Sequence, residues 1–94
     1  MKLSEVRKIN YLFRTSIKLA LECAREHNDI FTIAIDQFNC YREMYNYYHQ
    51  DNLIPHETTV LLRNYCCALY RGVPAMMEIN PDKYLQEVCK HAKL

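Results

Sequence analysis

The sequence predicts an all-α fold, either a small four-helix bundle or two packed helical hairpins. Three observations carry this. Apolar residues recur at alternating spacings of three and four along four segments. The chain has one glycine and three prolines, and they fall near predicted helix ends. Half of the residues are hydrophobic and 24% are charged, a globular composition and not a disordered one. One helical domain over residues 1–94 is expected, with helices at about 4–27, 30–50, 55–71 and 81–93.

The segment Ile30–Gln50 is expected to be the central helix. Phe31, Ala34, Phe38, Tyr41, Tyr45 and Tyr48 form one stripe at 100° per residue. Ile30, Ile33, Cys40 and Met44 lie beside it, and Thr32, Asp36, Asn39, Glu43, Asn46 and Gln50 lie opposite. An apolar arc that wide predicts neighbours on two sides. Tyr47, at the edge of the arc, is expected to be exposed. A strand through the β-branched run IFTIAI is the rival reading, but no partner strand is evident elsewhere in the chain.

The first helix has Ser4 as candidate N-cap and a core stripe of Val6, Ile9, Phe13, Ile17, Ala20 and Ala24, flanked by Leu12, Ser16, Leu19 and Cys23. His27-Asn28-Asp29 interrupts the pattern. Asn28 suits a left-handed turn and Asp29 a cap, so a tight hairpin is expected, with one continuous helix as the alternative. Pro55 suits the first turn of the third helix and Glu57 complements its positive end. Thr58, Leu61, Leu62, Tyr65, Ala68 and Leu69 are its expected inward face. Gly72, with Pro74 two residues on, marks its end. Asn80-Pro81-Asp82 starts the fourth helix, which buries Tyr84, Leu85, Val88 and Ala92. Met76 and Met77 lie on the connector before it.

Composition excludes several functions. A single glycine rules out the Gly-rich phosphate loops of Rossmann and P-loop proteins. No nucleophile elbow surrounds a serine or cysteine, and no carboxylate pair lies on an apolar face. Five cysteines and four histidines invite a zinc site. However, adjacent Cys66 and Cys67 diverge by about 100° on a helix, and Cys89 and His91 by about 200°. The sequence therefore predicts no enzyme, no metal and no cofactor. An odd number of cysteines without a secretory signal points to free thiols and a cytoplasmic location, and no segment has the length of a membrane span.

Two surfaces rise above this background. Arg7, Arg14, Lys18 and Arg25 fall within about 40° on the first helix, with Tyr11 alongside. Residues 1–26 hold six Lys/Arg against three Glu, so this end is basic while the whole chain is only +1. Such a stripe can meet phosphates or an acidic protein surface, or simply be solvated. On the third helix, Val60 and Cys67 sit opposite the expected core between Arg63, Asn64 and Arg71. With Tyr70 and the two methionines they form an apolar patch, unless the fourth helix or the connector covers them.

From Arg42 to Cys66 the chain is similar in part to a pentatricopeptide repeat, on Met44, Pro55, Thr59 and the Tyr65-Cys66 pair. The resemblance implies a helical hairpin. It covers about a quarter of the chain, places Arg63 where the repeat has leucine, and is followed by no second copy. Such repeats bind RNA as arrays, so no function is carried over.

The functional expectation is a small intracellular protein that binds and modulates another protein: an adaptor, regulator or inhibitor, of the kind mobile elements also carry. Its expected contact residues are Arg7, Tyr11, Arg14, Lys18, Arg25 and Tyr47, with Val60 and Cys67 for self-association as a homo-oligomer. The alternative is a nucleic-acid or phosphate-ligand binder using the basic stripe. No membrane partner is expected.

Overall fold

The computed structural model describes residues 3–50, 53–73 and 80–92. Four helices run in order: α1 (Leu3–Arg25), α2 (Phe31–Tyr48), α3 (Glu57–Tyr70) and α4 (Pro81–Ala92). They pack as a small all-α bundle.

The chain centres on α1 and not on α2. Helix α1 packs against all three other helices. Ile9, Phe13, Ile17, Ala20 and Ala24 of the expected stripe are buried, as are the flanking Ser16 and Cys23, and Leu21 widens the arc beyond the expected face while Leu19 stays exposed. Phe13 has no exposed surface and sits 5.3 Å from Phe38 and 6.4 Å from Tyr41, ring centre to ring centre. The groove joining Glu5 and Ile9 to Met44 and Tyr48 lies nearer the start of α1 and the end of α2. The two helices are thus antiparallel. The pairs Asn46–Ile54, Asn39–Thr59 and Phe31–Tyr70 relate α2 and the segment through α3 in the same way.

Helix ends follow local chemistry. Helix α1 closes in a Schellman motif, where Asn28 N–H reaches Cys23 O at 2.8 Å and His27 N–H reaches Ala24 O. The left-handed residue is His27, at φ 56°, and not Asn28 as expected. The cost of that conformation in a residue with a Cβ is offset by a contact that local sequence does not show. His27 Nδ1 donates to the Tyr70 carbonyl at the end of α3, 2.7 Å away. Asn28 instead forms an Asx turn, its side-chain oxygen accepting from the Ile30 N–H, and the cap expected of Asp29 is not made: the N-cap residue of α2 is Ile30, with no side-chain cap hydrogen bond. Ser4 lies inside α1 and is not its cap.

Helix α3 ends as expected. Gly72 has φ +75°, and Val73 N–H reaches Ala68 O at 2.9 Å. A Cβ there would meet only His27 Cε1, at an ordinary 3.9 Å. Gly72→Ala should therefore destabilise by about 1 kcal/mol through backbone conformation alone, a shift readable by urea denaturation. Helix α4 begins as expected too: Asn80 Oδ1 accepts from the Asp82 and Lys83 amides.

Helix α3 is rotated from its expected setting. Its buried residues are Thr59, Leu62 and Cys66, while Leu61 is exposed. Thr59 turns inward because its hydroxyl donates to Asn39 on α2. On α4, Val88 is buried and Tyr84 and Leu85 pack against the core. The Tyr84 hydroxyl donates to the Thr58 carbonyl and ties α4 to the start of α3. The side chains of Val6, Cys89, His91 and Ala92, together with Met76 and Met77, lie outside the described residues.

Candidate functional site

A buried polar network holds α2 to the segment that follows it. Arg42, expected on no particular face, is buried, and its guanidinium finds mostly neutral acceptors. Its Nε and Nη2 donate to Asn39 Oδ1 at 3.1 and 3.0 Å, and its Nη1 donates to the Ile54 carbonyl at 3.2 Å. Glu43 stands 4.0 Å from Nη2, and His56 Nδ1 lies 3.5 Å from it on the other side. Asn46 uses both ends of its amide on one residue: Oδ1 accepts from Ile54 N–H at 2.8 Å and Nδ2 donates to Ile54 O at 3.1 Å. Asn39 and Asn46, expected on the solvent face, therefore face the loop and α3. Fully buried Ile54 plugs the loop into the core. This network is a structural clamp, since each of its side chains is spent on holding α2 to the loop and to α3.

The clamp fixes how α2 is rotated, and that exposes the opposite side. Phe31, Ala34, Ile35, Phe38, Arg42 and Tyr45 face inward. Helix α2 has neighbours on two sides as expected, α1 and α3, yet its outer flank remains open: Tyr47 is 74%, Tyr48 64%, Ile33 55% and Met44 51% exposed, and Ile30 and Cys40 are exposed as well. The Tyr47 and Tyr48 rings meet edge to face, 5.2 Å apart. On the adjoining edge of α1, Leu12 is half-buried and Leu19 exposed. A groove of about 210 Å³ runs between the helices there, lined by Glu5, Lys8, Ile9, Leu12, Met44 and Tyr48.

The basic stripe occupies a different side of α1. Arg7, Tyr11, Arg14, Lys18 and Arg25 are all exposed. Arg14, at its middle, forms an ion pair with Asp82 of α4, Nε to Oδ1 at 2.8 Å. Tyr47 is exposed as expected, but it belongs to the α2 face and not to this stripe. The outer positions assigned to α3 move inward: Cys67 packs against the core and Val60 is half-buried. The rotation that brings Thr59 and Cys66 into the core brings them with it.

Tyr48, expected on the buried stripe, and Ile33 and Met44, expected beside it, are surface residues; their signal in the sequence is the excess width of the apolar arc of α2.

Cys23, Cys66 and Cys67 are buried or half-buried free thiols, and Cys40 is exposed. No group of His, Cys, Asp or Glu among the described residues converges on a metal position. Burial, with a smaller push from neighbouring Cys67 against a pull from Arg25, raises the Cys66 thiol to about 12. Burial likewise raises the Tyr84 hydroxyl, with Cys66 adding to it. Both groups keep their protons in the folded chain at a pH where the unfolded chain loses them. Stability should therefore be full below about pH 9 and fall as pH rises toward 12. Thermal melts across this range check it, and Cys66→Ala should flatten the early part of the fall. In native protein, Cys40 should react with a thiol reagent well before Cys66.

No described helix is long and apolar enough to cross a membrane. No protein-family model, curated protein or solved structure matches the chain. The resemblance of residues 42–66 to a repeat hairpin thus extends to no family match.

Proposed function

We propose that this chain is a non-enzymatic interaction protein that binds another protein through the outer face of α2 and the adjoining edge of α1. The observation that carries the reading is the row of large apolar side chains left exposed on α2. Burying Ile33, Met44, Tyr47 and Tyr48 against a partner would remove apolar surface from water, at about 25 cal/mol per Å². Tyrosine suits such a surface because its ring is apolar and its hydroxyl tolerates water. An adaptor, regulator or inhibitor role follows from binding without chemistry.

The alternative, nucleic-acid or phosphate binding by the α1 stripe, has less support. The Arg14–Asp82 pair neutralises its central charge. The other basic residues of the stripe, Arg7, Lys18 and Arg25, are few for phosphate contact.

A photo-cross-linking residue placed in turn at Ile33, Met44, Lys18 and Gln86 in the cell of origin separates the readings. Discrete protein adducts from positions 33 and 44 but not 86 are expected. Nuclease-sensitive adducts from position 18 would favour the alternative. Equal labelling at all four positions would contradict both.

A further inference from the structure

We infer that the occupant of this face is a basic amphipathic helix supplied by another protein. The inference rests on the docking reading above and adds the partner's shape and charge.

The shape comes from spacing. The outward residues Ile30, Ile33, Gln37, Cys40, Met44 and Tyr47 are separated by three, four, three, four and three. This is the a/d repeat of a coiled-coil strand, turned to solvent. Ile30 already has α-helical dihedrals, φ −57° and ψ −17°, so the seam is continuous from the head of the helix. A flat or extended partner gains nothing from that spacing, whereas a second helix seats its own knobs between these side chains. Leu12 of α1 lines the groove opposite Met44 and Tyr48, and exposed Leu19 follows two turns further along the same edge, so the incoming helix lies in a groove and not on a ridge.

The charge comes from the rim. Among the described residues, Asp36 and Glu43 are exposed along the outer flank of α2 and Glu5 and Glu26 along the edge of α1, with Lys8 the base on the same edge and Arg42, buried behind it, 4.0 Å from Glu43. The face is therefore acidic although the chain as a whole carries +1. Its basic residues lie elsewhere: Lys18 is about 100° around α1 from Leu19, and Arg42 is buried on the inward side of α2. Two copies joined through this face would set acid rim against acid rim, which disfavours self-pairing and favours Lys/Arg flanks on a foreign helix.

The test uses two synthetic amphipathic helices about three heptads long, with leucine seams and either lysine or glutamate at the flanking positions. Each is titrated into isotope-labelled full-length chain and followed by amide chemical shifts. The lysine peptide should bind at least about tenfold more tightly at low salt, a difference of about 1.4 kcal/mol that shrinks as salt screens the rim. Its shifts should centre on Ile33, Met44 and Tyr47. Met44→Glu, a surface change with the fold checked by circular dichroism, should weaken it by a similar factor. Peptides that bind equally and map to the face would overturn the charge assignment while leaving the docking reading intact. Shifts mapping to the α1 stripe, or no binding by either peptide, would overturn both. A dimer of the free chain that the lysine peptide does not displace would assign the face to a second copy and overturn the proposal.

Discussion

Phe13→Ala should remove about 3–5 kcal/mol of folding stability, the cost of emptying a fully buried aromatic site. Phe13 lies on the helix that touches all others, and its ring meets Phe38 and Tyr41 across the α1–α2 interface. The void left behind cannot close without moving two helices whose separation is also set by Ile17 and Ala20, both with no exposed surface. A domain of this size is stable by roughly 5–15 kcal/mol, so the variant should sit close to its unfolding threshold. Tyr47→Ala removes an aromatic ring of similar size from an exposed position and should change stability by no more than about 0.5 kcal/mol. Urea denaturation of both variants measures the contrast. Similar losses from the two would mean that α1 is not the centre of the core.

Asn46→Ala should cost about 2 kcal/mol, although it removes only a half-buried side chain. The loss lies in what is left behind. The Ile54 N–H donates to Asn46 Oδ1, and truncation strips that donor of its acceptor beside a fully buried side chain. The Ile54 carbonyl keeps Arg42, so the damage falls on the amide. Hydrogen exchange should show it locally, with Ile54 losing protection and amides in the middle of α1 changing only in step with global stability. Denaturation together with this exchange pattern checks the prediction. An Ile54 amide that stays protected would mean another group takes the place of Asn46.

These two residues also show what the sequence could and could not disclose. Phe13 belongs to a plain stripe at helical spacing, and Gly72 and Asn80 signal their helix ends by residue type alone. Such features are local, and local physics decides them. Asn46, Arg42 and Thr59 are legible only through partners eight to twenty residues away. Hydrophobicity alone puts Leu61 inward and Thr59 outward, yet the Asn39 acceptor reverses that order. His27 adopts a left-handed turn for a similar reason, because its ring is anchored to the far end of α3. The candidate face was obscured differently. Ile33 and Met44 are as apolar as core residues, and periodicity reports apolarity without reporting whether a neighbour exists within the same chain. Of the expected contact residues, only Tyr47 lies on that face.

The central claim is that the outer α2 face stands open on a single chain, awaiting a partner of different sequence. Light scattering after size exclusion, on reduced protein at low and at high salt, tests it most directly. The account predicts a particle of one 11.3 kDa chain under both conditions. A stable dimer that persists in salt and dissociates on Met44→Glu would contradict it, because the apolar seam would then already be filled by a second copy.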